Sequence, residues 1–185
     1  MAFDAPSEAS AAATSFSADD VAEILVARGW LRAEIDPAAG SSLRAWLTRA
    51  ADLLGPHAAD RAALDGLLGL VFAYDAGSVL RDSSSQDVLA REGSRDVIRE
   101  LAHRVLDSGD IDSDRFKEII DSMKAALPQR SRALFHPVRL ALAGRAGEGE
   151  LDRVILLLDS AAKLDFAVPV KAARQRMLEF CSALD

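Results

Sequence analysis

The sequence predicts an all-α fold, and three observations carry the prediction. Apolar residues recur every three or four positions along most of the chain, the spacing that lines one face of a helix. Residues that cap helices stand ahead of these stretches, and Gly or Pro closes them. The alternation of β-branched and polar residues that marks a half-buried strand is almost absent. At 185 residues and 50% hydrophobic, the chain can fill the core of one domain or of two small helical subdomains packed as a bundle or cage.

Residues 1–16 are rich in Ala and Ser without a sustained apolar face, and are expected to form a flexible tail. Ser17, with Asp20 three residues on, announces a first helix over about Ala18–Arg28; Val21, Ile24 and Leu25 form its stripe and Gly29 its stop. Ser42 begins a second helix bearing Leu43, Trp46, Leu47, Ala50 and Leu54, which ends at Gly55-Pro56. Ala59–Tyr74 supplies a third, completing a first subdomain over 17–83.

Arg81–Ser85 is polar and of low complexity, so a linker is expected there, with a second subdomain over 84–185. Ser94 caps a helix carrying Val97, Ile98, Leu101, Val105 and Leu106. After the turn 107–112, Ser113 caps another, with Phe116, Ile119, Ile120, Met123 and Leu127 inward and Pro128 as its stop. Pro137 fits as an early position of a helix running to Ala143. Two more helices follow, Glu150–Leu158 and Val170–Leu184, the last with Val170, Ala173, Met177 and Cys181 on its core face.

The net charge of −7 opposes general binding to nucleic acid, which depends on Lys and Arg displacing counterions from phosphates. The charge is uneven, however. Ser122–Gly147 holds Lys124, Arg130, Arg132, Arg139 and Arg145 and no acid, so the other residues carry −12, the −7 of the whole less this window's +5. No apolar run is long enough to span a bilayer and Met1–Asp20 lacks the pattern of a secretory signal, so a soluble, cytoplasmic protein is expected. A single cysteine excludes an intramolecular disulfide, and three scattered histidines offer no metal-ligand spacing.

Chemical motifs are absent on inspection. Gly144–Gly149 lacks the Lys-Ser or Lys-Thr ending of a phosphate-cradling loop and follows a helix where a strand is needed. Asp110, Asp112 and Asp114 mimic the start of a calcium loop, but Arg115 stands where Gly is required and Asp121 where a bidentate Glu is required. Cys181 lies on an apolar stripe, where a thiol stays protonated and inert. No cofactor is expected.

Most of the chain, from about Val21 to Leu158, resembles the C-terminal anticodon-binding region of bacterial glutamyl-tRNA synthetases, an all-helical unit of two subdomains. The resemblance rests on Phe135-His-Pro-Val-Arg139, then Leu140-Ala-Leu-Ala-Gly144-Arg145, then Gly149-Glu150-Leu151. Ile24–Trp30 and Leu67–Asp75 add weaker matches. Two positions depart from the family's pattern: Glu148-Gly149 replaces its Gly-Pro, and Ala143 stands where Thr or Ser is common.

The resemblance implies that Arg139 reads an anticodon base and that Leu151 packs beside the anticodon. Arg130, Arg132, Arg145 and His136 are the accompanying candidates for the RNA surface. The competing reading pairs Arg139 with one of the chain's many carboxylates and makes Arg130, Arg132 and Arg145 solvated helix-end charges. The family's catalytic signatures and strand-rich nucleotide-binding region are absent, so no aminoacylation is expected from this chain alone. The expected partner is the anticodon arm of a tRNA, with a separate catalytic synthetase chain as a possible protein partner. The alternative function is a regulatory or protein-interaction module that kept the helical scaffold and lost RNA binding.

Overall fold

The computed structural model describes residues 15–34, 38 and 41–185. Among them the chain forms ten α-helices and no strand: α1 Ala18–Ala27, α2 Ser42–Leu54, α3 Arg61–Phe72, α4 Ala76–Arg81, α5 Ser83–Leu89, α6 Ser94–Leu106, α7 Ser113–Ala126, α8 Ser131–Ala143, α9 Glu150–Ala161 and α10 Ala173–Leu184. The expected tail falls mostly on residues 1–14, outside the described residues, but Phe16 already packs against the core.

The local rules explain most boundaries. Ser17 and Asp20 form a reciprocal capping box at the start of α1. Gly29, at φ +72°, ends that helix: its N–H donates to the Val26 carbonyl while the Trp30 N–H donates to that of Leu25, a Schellman motif. Asp60, Asp75, Asp82 and Asp112 cap α3, α4, α5 and α7 by accepting from backbone N–H groups three residues on.

Several expected details change. The linker expected at Arg81–Ser85 is the end of α4, its junction residue Asp82, and the first turn of α5. Asp112 caps α7 in place of Ser113. The cap of α6 is Gly93, at φ +78°; the Ser94 hydroxyl is buried and donates to the Val88 carbonyl instead. Pro137 lies in the middle of α8, where its missing N–H leaves the Ala133 carbonyl without the usual helical donor. The last helix begins at Ala173, not Val170.

Helix α9 organises the core. It is apolar nearly all round, from Leu151 through Val154–Leu158 to Ala161, as a helix enclosed on every side must be. It packs against α2 and α3 on one side and α8 and α10 on the other. One hydrophobic core therefore runs across the boundary expected at 83–84. At the α2, α3 end, Trp30, Trp46, Phe72 and Phe166 interlock, with neighbouring ring centroids 4.9–5.9 Å apart. Stacked and edge-on pairs of this kind add roughly 0.5–1.5 kcal/mol each beyond area burial.

At the α8, α10 end the core holds a polar centre. Arg176 is fully buried, and its guanidinium donates to the carbonyls of Leu70, Val71, Leu142 and Lys171 at 2.6–3.1 Å. One side chain thus satisfies the C-terminal ends of α3 and α8, whose last carbonyls have no helical donor. Tyr74 lies under the guanidinium, 4.5 Å from ring centroid to carbon, and its hydroxyl donates to the Ala141 carbonyl at 2.7 Å. A second buried polar group, Asp159, accepts from the Ile111 and Ala173 backbone N–H groups at 2.6 and 2.8 Å, tying the 107–112 turn to the start of α10.

Two predictions arise here. Gly144 ends α8 at φ +82°, and a Cβ there would meet the Tyr74 ring at 3.2 Å and Val79 at 3.4 Å. Gly144→Ala is expected to lower stability by about 1–2 kcal/mol, from the left-handed backbone and the crowding together; urea unfolding by circular dichroism checks it, and an unchanged midpoint would contradict it. The second concerns Tyr74, the chain's single tyrosine, whose pKa burial raises above its ordinary 10.0. A pKa raised in the folded state means stability is full below about pH 10 and is lost as pH rises further. The phenolate absorbance should therefore appear together with loss of the helical signal, not in the native protein near pH 10.

Candidate nucleic-acid interface

Helix α8 and the turn Gly144–Gly149 that joins it to α9 carry the residues singled out by sequence. Arg139 faces inward from α8. Its Nε and Nη2 donate to the two oxygens of Asp152 at 2.8 and 2.9 Å, and Nη1 donates to the Gly147 carbonyl at 2.7 Å. Phe135, one turn earlier, covers the guanidinium at 4.8 Å. The side chain is only 9% exposed, and three of its five N–H groups are engaged. Arg139 thus clamps the turn to the first turn of α9. Of the two readings of this residue, the intramolecular pair describes its position.

Leu151 is also internal, with no exposed surface, and it lies against the same turn: a Cβ on Gly147 would come within 2.8 Å of its Cδ1. The two residues that the family resemblance nominates for the anticodon therefore hold the turn from beneath.

The other candidates lie at the surface. Arg130 donates to the carbonyls of Leu127 and Gln129 at 2.5 and 2.7 Å, fixing the approach to α8. Arg132 pairs with Glu148 at 3.1 Å, with both side chains more than half exposed, an arrangement worth at most about 1 kcal/mol. Arg145 is exposed and has no side-chain partner among the described residues. His136 is half-buried: the Arg91 guanidinium lies 3.2 Å from its Nδ1, and its buried Nε2 has no partner. Burial, then the charge of Arg91, hold its pKa below the ordinary value, so it is neutral at pH 7.

The acid-free window of the sequence is not acid-free in space. Asp152, Glu148 and Asp121 reach Arg139, Arg132 and Lys124 from outside it or from its margin. What remains is a smaller cationic surface of Arg130 and Arg132, joined by Arg91 from the α5–α6 turn, with Arg145 exposed in the turn beyond the far end of α8. This surface adjoins the start of α8, where no side chain caps the backbone N–H groups and no acid stands in the first turn. Sequence reasoning missed Arg91 and Asp152. Neither has a local signal, because both reach the site through tertiary packing.

Among the described residues no three His, Cys, Asp or Glu side chains gather as metal ligands. No described helix is long and apolar enough to cross a membrane. Comparison of the chain with protein-family models, curated proteins and solved structures gave no match.

Proposed function

We propose that this chain is a non-catalytic RNA-binding module that seats the loop of a tRNA anticodon arm, acting in the cytoplasm. The observation that carries the reading is the gathering of Arg91, Arg130 and Arg132 beside the uncapped N-terminus of α8, with Arg145 exposed in the turn that follows the helix, on the segment whose motifs resemble the glutamyl-tRNA synthetase anticodon-binding region. Exposed guanidinium groups suit phosphate oxygens, and helix N–H groups add a fixed positive end. Unstacked loop bases are what proteins usually read in RNA.

In this mechanism Arg139 and Leu151 shape the surface and do not touch the base. The Arg139–Asp152 clamp holds Gly144–Gly149 in one form, so that Arg145 is presented without a further ordering cost. Glu148 weakens the field at Arg132, so affinity rests on Arg91, Arg130 and Arg145.

The test is equilibrium binding of total tRNA at about 50 and 200 mM salt. Three phosphate contacts to single-stranded RNA give a slope near −2 in log K against log salt, which is a roughly twentyfold loss of affinity over that range. Absence of binding at low salt would contradict the proposal. It would favour the second reading, a protein-interaction module that kept the scaffold, which draws support from the internal pairing of Arg139 and the net charge of −7. Co-purification of a catalytic synthetase chain would identify the partner in that case.

A further inference from the structure

The contact between His136 and Arg91 fixes the chemical state of the ring. Arg91 is exposed on the turn between α5 and α6, and its guanidinium lies 3.2 Å from the Nδ1 of His136, in the second turn of α8. A guanidinium can only donate, so Nδ1 offers its lone pair and the proton of the neutral ring sits on Nε2. That Nε2 is buried and finds no acceptor among the described residues. A buried donor without a partner carries a desolvation cost, so the tautomer is held by Arg91 and not by what surrounds Nε2.

Protonation undoes this arrangement. The added proton goes to Nδ1, the ring's one free lone pair, and turns the acceptor into a donor facing the Arg91 donors. The contact then holds no hydrogen bond and sets two positive charges side by side. The other charges that face the ring are Glu148 from the α8–α9 turn and Arg132 and Arg139 from α8 itself. Arg132 is paired with Glu148 and Arg139 with Asp152, whereas Arg91 makes no ion pair among the described residues. Burial, then Arg91, oppose protonation, so the ring gains its proton below histidine's ordinary 6.5.

We propose that His136 is a proton-operated latch on Arg91: the neutral ring holds the guanidinium against α8, and the protonated ring releases it and adds a second positive charge to the same surface. Its use rests on the reading of that surface as an RNA site, where the latch makes affinity rise as the pH falls. The coupling is reciprocal, because a phosphate seated beside Arg91 and His136 favours the imidazolium, and bound RNA therefore tightens the ring's hold on its proton.

The experiment has two arms, both on the full chain. Nitrogen-15 NMR of the free protein reads the latch itself. Near pH 7.5, Nδ1 should show the shift of an unprotonated ring nitrogen, and the Arg91 side-chain signal should move with the same midpoint as the ring on acidification. Arg91→Ala, at an exposed position, should raise that midpoint. A proton on Nδ1 at neutral pH, an Arg91 signal indifferent to the midpoint, or an unchanged midpoint in Arg91→Ala overturns the proposal. The second arm is equilibrium binding of total tRNA near pH 7.5 and pH 5.5 at fixed salt, with circular dichroism checking the fold at both. Affinity should rise roughly fivefold at the lower pH. His136→Asn, whose carboxamide oxygen accepts from Arg91 but takes up no proton, should lose the rise. Equal wild-type affinity at the two pH values overturns the proposal, as does an undiminished rise in His136→Asn, which would assign the effect to His57 or His103. Absence of tRNA binding at both pH values would sink the RNA reading instead, and the NMR arm then decides the latch by itself.

Discussion

Arg176→Met is expected to lower the unfolding free energy by about 3–5 kcal/mol, among the largest losses available to a single substitution here. Burial works against the guanidinium and draws its pKa down to about 10, so it is still charged at neutral pH. Exchanging a buried charge for an apolar side chain can be neutral when its partners go with it. Here the partners are the backbone carbonyls of Leu70, Val71, Leu142 and Lys171, which no side-chain substitution removes. Left unsatisfied, each costs roughly 1–3 kcal/mol, and that outweighs the relief of burying no charge.

Arg176→Lys should recover less than half of the loss. A compact ammonium offers three donors from one point and cannot reach carbonyls presented around a planar fork. Urea unfolding followed by circular dichroism measures both variants. A loss below about 1 kcal/mol for Arg176→Met would show that water or local relaxation satisfies the carbonyls, and would remove Arg176 as the link between α3, α8 and α10.

Arg139→Ala and Asp152→Ala are each expected to cost about 3 kcal/mol, because either change leaves a partly buried charge without its bidentate partner. The double variant should be more stable than the sum of the two losses implies, by about 1–3 kcal/mol of coupling. Simple additivity would show that the pair contributes nothing of its own. The turn Gly144–Gly149 loses its clamp in all three, so weakened RNA binding by Arg139→Ala does not by itself place the guanidinium against a base. Asp152→Ala separates the two roles. It frees Arg139, so an arginine that reads RNA should bind more tightly in this variant, whereas an arginine that shapes the turn should bind less.

The helices were legible where a local rule acts alone. Ser17 with Asp20, Gly29 and Gly144 are signals that the backbone geometry obeys directly. Arg81–Ser85 was misread because three serines between Asp82 and Gln86 look like a linker, while the Asp82 carboxylate caps the helix that contains them. Ser94 was read as a cap because its type favours that role; the glycine before it takes the position, since a left-handed φ suits Gly93. How the helices group around one another lies beyond local rules. The all-round apolar character of α9 shows that it is enclosed, but not by which helices.

Charge shows the same limit more sharply. The sequence places no acid between Ser122 and Gly147, and the resemblance places a reader at Arg139, yet Asp152 answers that arginine across thirteen residues and a turn. A buried guanidinium and an exposed one are indistinguishable in a sequence window. Arg176 appears in sequence as one more charge on a helix with an apolar face, and nothing in its neighbours announces four carbonyl acceptors.

The central claim, that exposed arginines around a clamped turn bind RNA, is tested most directly by the tRNA affinity of an Arg132→Ala/Arg145→Ala double variant set beside the wild type across a salt series. The account predicts native stability, weaker binding, and a log–log salt slope shallower by about 0.7 to 1.4, the share of one or two lost phosphate contacts. Unchanged affinity and slope in a fully folded double variant would contradict it.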